Sequence, residues 1–317
     1  MRELTITGAD ANQRLDKYLK RYFKEASSGF LYKMMRKKNI TLNKKKVDGH
    51  EMLAEGDVIS VFFSDETFEK MQGATGVDPH YLYLQKLEHP HVQVVFENED
   101  ILVVNKPAGI LTQKSKPEDA SLNDEILSYL IESGALSNAR YRLFKPSVAN
   151  RLDRNTSGLV LAGKSLQGQQ FLSEALHSRD AKKTYHCVVA GRIDKEATEE
   201  AYLIKDSATN TVRILRTEIP GSKIIRTRFR PLQATDAYTL LEVDLLTGRT
   251  HQIRAHMAYL GHPVIGDAKY GDAKLNEAMR RDHGIRHQML HAYRVVLPGG
   301  IDCKAEDPQS FGRLFTK

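Results

Sequence analysis

A carboxylate between two arginines is the first candidate for chemistry in this chain. Asp153 lies two residues after Arg151 and directly before Arg154. Nearby positive charge favours the ionised form of a carboxylate, so Asp153 could act as a nucleophile or a base on an anionic substrate that the arginines also bind. An isolated acid of this kind more often forms a surface ion pair with its neighbours. Two further segments argue against that alternative.

The residues around Asp153 predict a loop between two strands. Asn155 and Gly158 are residue types that favour turns, and the apolar run at 159–162 is typical of a short buried strand. Residues 158–165 also fit the phosphate-binding pattern G-x-x-x-x-G-K-[ST]. That pattern needs a loop where this chain has its apolar run, so we expect a strand and no nucleotide site.

A second segment, residues 246–263, predicts a short helix that carries an arginine. Thr250 is the expected N-cap, and Gly261 is the expected stop. Arg254 would share one helix face with small residues, where another segment can approach closely. The alternative is a helix whose Arg and His side chains face solvent, which is usual for both types.

The histidines and cysteines do not predict a metal site. His251, His256 and His262 are separated by five and six residues, and such spacings do not converge on one ion. Cys187 and Cys303 lie far apart and match no metal or redox spacing, which favours a reducing compartment.

The elements that must position these residues indicate an α+β fold with a mixed, largely antiparallel sheet at residues 91–317. Strands and helices occur in mixed order, which argues against a doubly wound sheet. A β-hairpin is expected over residues 92–104. Further strands are expected at 184–190, 211–215, 224–229 and 238–245, and helices at 121–133 and 166–178.

Residues 1–64 predict a small separate α/β unit. Asp10 is the expected cap of a first helix, and Ser27 or Ser28 of a second. Strands are expected at 40–42 and 58–63. Two basic clusters flank the first of these strands, namely Arg36, Lys37, Lys38, Lys44, Lys45 and Lys46. Such a run is as often a solvated face as a binding surface.

Residues 65–90 change character and predict a linker. They contain Gly73, Gly76, Pro79 and Pro90 without a sustained hydrophobic period, so we expect a linker with one helical turn around Tyr81 to Leu87.

Composition excludes several classes of protein. The chain has 317 residues, is 41% hydrophobic and 27% charged, and its formal charge of +7 favours an anionic partner. Residues 1–13 contain no apolar run typical of a secretory signal. No stretch approaches the roughly 20 apolar residues needed to cross a membrane.

Residues 92–296 together resemble the RluA family of RNA pseudouridine synthases. The resemblance implies that Asp153 is the essential aspartate, that Tyr185 is an active-site tyrosine and that Arg254 pairs with the aspartate. Asn150 and Asn155 stand where the family usually has a histidine and an aspartate, and neither departure removes a charged catalytic group. The matching motifs are residues 105–109, 151–158, 183–185, 248–254 and 290–292.

The implied reaction isomerises uridine, with no redox change and no external group, so we expect no cofactor and no metal. Tyr185 would stack on the uracil near the carbon that loses its proton, although an ordinary strand tyrosine is the alternative. Arg154 would hold the backbone where the target base leaves its stack. The other expected substrate-binding residues are Arg151, Arg249, His251 and Lys106, of which Lys106 could equally be a turn residue after a strand.

Residues 11–63 resemble the S-four-type (alpha-L) RNA-binding domain. Residues 14–19, 40–43 and 56–59 carry the resemblance, whereas Gly29 stands where that family often has an arginine. The resemblance implies that the second helix and its basic end recognise the phosphates and shape of folded RNA.

We therefore expect an RNA pseudouridine synthase acting on large-subunit ribosomal RNA, free or in the assembling subunit, as a cytoplasmic monomer without membrane contact. Transfer RNA is an alternative substrate. A catalytically silent RNA-binding assembly factor is the rival, but it would have no need for Asp153, Tyr185 and Arg254 together. A glycosidase is disfavoured because no comparable motif supplies a second acid.

Overall fold

The computed structural model describes residues 1–73, 77–206 and 209–315. The strands in this part of the chain are β1 (Arg2–Thr5), β2 (Ile40–Leu42), β3 (Lys45–Lys46), β4 (Val58–Val61), β5 (Val94–Glu97), β6 (Ile101–Lys106), β7 (Ser147–Val148), β8 (Ser157–Gly163), β9 (Lys182–Ala190), β10 (Ala197–Asp206), β11 (Thr211–Leu215), β12 (Lys223–Ala234), β13 (Tyr238–Leu245), β14 (Leu290–Leu297) and β15 (Ile301–Lys304). The helices are α1 (Leu15–Tyr22), α2 (Ser28–Arg36), α3 (Asp65–Gln72), α4 (Pro79–Leu84), α5 (Leu122–Glu132), α6 (Asn138–Leu143), α7 (Leu166–Ser178), α8 (Gln252–Tyr259), α9 (Ala273–His283) and α10 (Gln309–Arg313).

Local sequence explains where most of these helices begin. A serine or aspartate side chain at the N-cap accepts a hydrogen bond from a backbone N–H of the first turn, which would otherwise lack a partner. These caps are Ser27, Ser64, Asp78, Ser121, Ser137, Ser165 and Asp272.

A large sheet forms the frame of the site and confirms the predicted α+β fold. Its strand order is β11-β10-β12-β13-β9-β14-β8-β6-β5, with β15 beside β14 and β7 beside β8. The pairing of β14 with β8 is parallel, and the other strand pairs of the described chain are antiparallel. The predicted strands and helices of this region are present, with β12 longer than expected.

The central strands are buried on both faces, which explains their continuous apolar runs. On β6, Leu102 and Val104 pack into a core with helices α4, α5 and α8, whereas Ile101 and Val103 pack with α7 on the other face. Tyr185 on β9 belongs to the first core. That face of the sheet therefore carries the predicted site.

The N-terminal residues form a four-stranded sheet, in the order β1-β4-β2-β3, with an apolar core of its own. Ser27 caps α2 as predicted. Asp10 does not cap α1, because it ends a short 3-10 turn, after which the chain bends, pairs Arg14 with Met52 and begins its helix only at Leu15. The Asp10 carboxylate instead accepts a hydrogen bond from the Thr7 hydroxyl at 2.9 Å.

The predicted linker, residues 65–90, contains two helices rather than one helical turn. In α3, Phe68 is buried in the N-terminal core, and in α4, Tyr81 and Leu84 are buried in the core of the large sheet. The helix α4 overlaps the expected helical turn, because Tyr81 and Leu84 have a helical spacing, whereas α3 buries Phe68 alone and was not expected. Residues 74–76, including the predicted turn residue Gly76, lie outside the described residues.

Candidate active site

An open cavity of about 810 Å³ lies against the sheet face that carries Tyr185. This volume is in the range of small-ligand sites and would accept one nucleotide. Seven of the eight residues predicted to do chemistry or bind substrate line it, namely Arg151, Asp153, Arg154, Tyr185, Arg249, His251 and Arg254. Residues separated by about 100 positions thus meet at one site.

Asp153 is bound by a buried arginine that has a second anchor. Arg254 Nη1 donates to Asp153 Oδ2 at 2.8 Å, and its Nε and Nη2 donate to the two oxygens of Asp267 at 2.7 and 2.8 Å. The Asp153 side chain is 30% exposed in the cavity, whereas Asp267 is fully buried. The structure therefore presents one carboxylate to the cavity and uses the other to orient the guanidinium.

The charges of this trio stabilise one another. Burial opposes charge on Arg254, but the hydrogen bonds and charges of Asp267 and Asp153 outweigh it and raise the pKa of the guanidinium. Burial likewise opposes charge on Asp267, and its bonds to Arg254 and to backbone N–H groups lower its pKa overall. Both buried groups are therefore ionised at neutral pH.

The turn before α8 places Arg254. The buried Gln252 side chain accepts from the Arg249 backbone N–H at 3.1 Å and donates to the Arg226 carbonyl on β12 at 3.1 Å. His251 adopts a left-handed conformation with φ 53° at the N-cap. The prediction that Thr250 caps this helix is wrong, because these contacts of Gln252 delay the first helical residue to position 252.

The loop that carries Asp153 is tied down on both sides of that residue. The buried Thr112 hydroxyl donates to the Leu152 carbonyl at 2.8 Å and accepts from the Leu152 N–H at 3.1 Å. The Arg154 carbonyl accepts from the Gly109 N–H at 2.9 Å. Because both neighbours of Asp153 are bonded through their backbones, its carboxylate has little freedom to move away from Arg254.

Lys106, predicted to bind substrate, instead supports this loop. Its side chain is fully buried and donates to the carbonyls of Pro107, Ile110 and Arg154 at 2.8, 3.1 and 3.1 Å. Burial lowers the pKa of Lys106 to about 7, while the charge of Asp153 acts in the opposite direction. The three bonds use all three donors of an ammonium group. Lys106 thus contacts backbone rather than the cavity.

Strand β8 determines the two ends of the loop that carries Asp153, at Asn150 and at Gly158. The Asn150 side chain donates to the Leu159 carbonyl at 3.3 Å and accepts from the Leu161 N–H at 2.8 Å, so this departure from the family pattern has a structural use. Gly158 has φ 109°, and a Cβ there would lie 2.4 Å from the Ala292 carbonyl oxygen. The segment that matched a phosphate-binding pattern is strand β8, as predicted.

Tyr185 contributes a buried aromatic wall to the cavity. It is 9% exposed and lies on β9 opposite Val243 of β13. Burial, together with the negative charge of Asp153, raises the pKa of Tyr185 to about 12. The phenol is therefore neutral at physiological pH and faces the same cavity as Asp153.

Cations surround the mouth of the cavity. Arg151, Arg154 and Arg249 are exposed there, and Lys183 is partly buried two residues before Tyr185 on the same face of β9. Burial lowers the pKa of Lys183. Within the part of the chain described by the structure, no hydrogen bond or ion pair is formed by these four side chains, so their charges are available to an anion.

The two N-terminal basic clusters lie at the two ends of β2. Lys37 is the C-cap of α2, and Lys44 occupies the two-residue turn between β2 and β3. A strand of three residues spans roughly 10 Å, so one RNA backbone could contact both clusters. All six side chains are exposed, and none has an ion pair among the residues described: Arg36, Lys37, Lys38, Lys44, Lys45 and Lys46.

Sequence reasoning missed two residues that organise the site. Asp267 follows a glycine in an irregular segment and is 13 positions from Arg254, and Thr112 is 40 positions from Leu152. Neither has a local pattern that would distinguish it from a turn residue. A fully buried acid is exceptional, but burial cannot be inferred for a lone Asp in a loop.

The described residues show neither a metal-ligand cluster nor a membrane-spanning helix. Among the described residues, no group of three His, Cys, Asp or Glu side chains could hold a metal ion. No helix within residues 1–73, 77–206 and 209–315 is long and apolar enough to cross a bilayer. Both cysteines are buried and free.

Comparisons with known proteins show which family the chain resembles in sequence and fold. A family model described as RNA pseudouridylate synthase matches residues 100–259. The chain is 32% identical to ribosomal large subunit pseudouridine synthase C of Pasteurella multocida over 92% of this chain and 84% of that protein. It is 30% identical to the Rickettsia bellii protein of the same name, over 95% of this chain and 96% of that protein. The solved structure of human RNA pseudouridylate synthase domain containing 1 matches with a TM-score of 0.55 and 25% identity, over 68% of this chain and 84% of that one.

Proposed function

The chain belongs to the RNA pseudouridylate synthase family, whose members isomerise uridine to pseudouridine in RNA, and we propose that it acts on large-subunit ribosomal RNA with Asp153 as the essential carboxylate. The observation that carries the assignment of the site is the chain Asp267–Arg254–Asp153. It presents one carboxylate, oriented by Arg254, to a cavity large enough for a nucleotide.

The reaction exchanges one bond of the uridine for another. The bond from C1′ of the ribose to N1 of the uracil breaks, and a bond from C1′ to C5 forms. The proton on C5 is lost, and N1 gains one, so the product has the same composition as the substrate. Asp153 could attack the sugar as a nucleophile or remove a proton as a base, and its geometry suits both roles.

The surrounding groups fit the remaining requirements of this reaction. A base must leave its stack to reach Asp153, and the exposed Arg151 and Arg154 flank that residue at the cavity mouth, where they can hold the phosphate backbone. The apolar face of Tyr185 can stack on the extruded uracil. Arg249 adds positive charge to the lining of the cavity. Lys106 acts as a positioning residue for the loop rather than as a ligand.

Ribosomal RNA is proposed as the substrate on two grounds. The Pasteurella multocida and Rickettsia bellii relatives, which match more than nine-tenths of the chain, bear the name ribosomal large subunit pseudouridine synthase C. Residues 1–64 also contain 13 Lys and Arg against 8 Asp and Glu, so this unit carries +5 of the formal charge of +7. Such an excess on a separate unit favours recruitment of a large structured RNA. This unit is proposed to be an S-four-type RNA-binding domain.

A cytoplasmic monomer is the simplest form of the proposed enzyme. The acid, the arginines and the tyrosine that line the cavity all belong to one chain, so the site does not require a second copy. Light scattering of the purified protein would test this point, because a dimer would scatter at twice the expected mass of 35.8 kDa.

The substrate is tested by mapping pseudouridines in total RNA from cells that lack the protein. We expect one or more sites in large-subunit RNA to lose the modification and to regain it with the wild-type gene but not with Asp153→Asn. Loss in transfer RNA alone would reassign the substrate. An unchanged map with a defect in subunit assembly would favour the catalytically silent factor instead.

A further inference from the structure

A hydrogen-bonded chain that starts on β11 ends at His251, next to Asp153. The backbone N–H of Val212 on β11 donates to Tyr270 Oη at 2.8 Å. Tyr270 Oη lies 2.9 Å from His251 Nδ1. His251 Nε2 lies 3.6 Å from Asp153 Oδ1, the oxygen that Arg254 does not bind.

This arrangement determines which nitrogen of His251 carries the proton. Tyr270 Oη already accepts the Val212 N–H, so its own proton is directed to His251 Nδ1. The neutral ring then carries its hydrogen on Nε2, which faces the carboxylate of Asp153. The opposite tautomer would place a lone pair against a negative charge. A bond at one ring nitrogen commonly sets the role of the other in this way.

We propose that Tyr270 is a positioning residue that selects the Nε2–H tautomer of His251 and thereby directs this N–H towards the free oxygen of Asp153. The proposal rests on the role of Asp153 proposed above. It assigns His251, which the sequence suggested as a substrate ligand, to the support of the acid. Arg254 then binds Oδ2 of Asp153 at 2.8 Å, and the His251 N–H lies near Oδ1, with 3.6 Å between Nε2 and that oxygen.

The segment around Tyr270 supports both Arg254 and His251. Asp267, which orients Arg254, also accepts the backbone N–H groups of Lys269 and Tyr270 at 2.8 and 3.2 Å. The Tyr270 ring lies 5.3 Å from the Arg254 guanidinium, within reach of a cation–π contact. Tyr270 does not line the cavity, so it acts through its neighbours rather than on the substrate.

The charges near His251 allow the tautomer to be measured. Burial lowers the pKa of His251, with Asp153 and Asp267 acting against this effect and Arg254 and Lys269 acting with it. The ring is therefore neutral at pH 7.5. Nitrogen-15 NMR of histidine-labelled protein distinguishes the two neutral tautomers by the shifts of the two ring nitrogens. The His251→Gln variant assigns the signal by its loss.

We expect the Nε2–H tautomer in the wild-type protein and a mixture of tautomers in Tyr270→Phe. That variant keeps the ring beside Arg254 and removes only the hydroxyl. A wild-type signal from the Nδ1–H tautomer would overturn the proposal, and so would an unchanged signal in Tyr270→Phe. This measurement needs no substrate, so its failure is distinct from a failure of the proposed function.

Kinetics supply the second readout. Loss of a supporting partner of this kind typically costs about 10–100-fold, so Tyr270→Phe should lower kcat by that factor while KM stays within about twofold. Tyr259→Phe is the matched control, because Tyr259 is 47% exposed on α8 and should keep wild-type kcat. A wild-type kcat in Tyr270→Phe, or an equal loss in the control, would contradict the proposal.

Discussion

Replacing Asp267 by asparagine removes the charge that anchors Arg254 and changes little else in shape. Asp267 is fully buried and accepts two hydrogen bonds from the guanidinium, at 2.7 and 2.8 Å. Asparagine has one acceptor oxygen and one NH2 group at these positions, so in either orientation its NH2 would face an N–H of Arg254, and in one orientation also the backbone N–H groups of Lys269 and Tyr270. Arg254 would then keep Asp153 as its remaining carboxylate partner among the described residues.

The expected cost of Asp267→Asn follows from these contacts. Each charge-assisted hydrogen bond contributes about 1.5–3 kcal/mol, and removing one partner of a buried ion pair costs about 3–5 kcal/mol in total. We expect a loss of this size in the free energy of unfolding. Circular dichroism in urea is the suitable measurement, because the chain has no tryptophan for fluorescence. Turnover should also fall, by about 10–100-fold, as Arg254 loses its orientation.

Asp302→Asn is the matched control for this experiment. Asp302 also accepts two hydrogen bonds from an arginine, Arg294, but both side chains are about 40% exposed. An exposed pair contributes about 0–1 kcal/mol, so the control should remain close to wild type in stability and turnover. If Asp267→Asn were no less stable and no less active than Asp302→Asn, the account of the buried anchor would be refuted.

The same residue predicts a dependence of stability on pH. The pKa of Asp267 is lower in the folded than in the unfolded protein, so its contribution is present above the unfolded pKa of about 3.9 and is lost as pH falls through the folded pKa. We would measure the free energy of unfolding between pH 7 and the lowest pH at which the protein folds. Below about pH 4, this free energy should fall less steeply with pH in Asp267→Asn than in the wild type. Parallel curves would contradict this assignment.

Two further variants test other parts of the site. Arg254→Met should lower turnover far more than RNA affinity, because the arginine binds Asp153 rather than phosphate; a loss of affinity alone, measured by filter binding, would make it a phosphate contact. Joint replacement of Lys44, Lys45 and Lys46 by glutamine should weaken RNA binding and reduce the slope of log affinity against log salt by about 0.7–0.9 per lost contact. The control is the same change at three exposed lysines elsewhere, Lys195, Lys274 and Lys304, which should leave the slope unchanged. Equal slopes for both triple variants would contradict the proposal that the N-terminal lysines contact RNA.

Features that depend on nearby residues were predicted correctly from the sequence. The apolar run of β8 and the turn residues before it gave the strand and the Asp153 loop, and Ser27 gave the start of α2. Features that depend on contacts with distant residues, such as the start of α8, were not predicted from the local sequence. Thr250 has the right residue type for a cap, but the contacts of Gln252 with β12 decide where α8 begins.

Burial is the other property that the sequence did not disclose. Lys106 belongs to a basic residue type that usually faces solvent, yet its amine bonds three carbonyls inside the protein. Asp267 and Tyr270 are unremarkable in a loop, and their roles depend on side chains that the fold brings to them. The resemblance to a family located the acid and its partner Arg254, whereas the contacts of Asp267 with Arg254 and of Tyr270 with His251 appear only in the fold.

The central claim is that Asp153 is the essential carboxylate, and turnover by purified Asp153→Asn tests it most directly. Wild type, Asp153→Asn and the Asp302→Asn control would be incubated with large-subunit ribosomal RNA, and the pseudouridine formed would be counted by mass spectrometry of digested RNA. We expect product from wild type and control and none from Asp153→Asn, with RNA affinity nearly unchanged because the amide fills the same space. Measurable turnover by a folded Asp153→Asn protein would contradict the account.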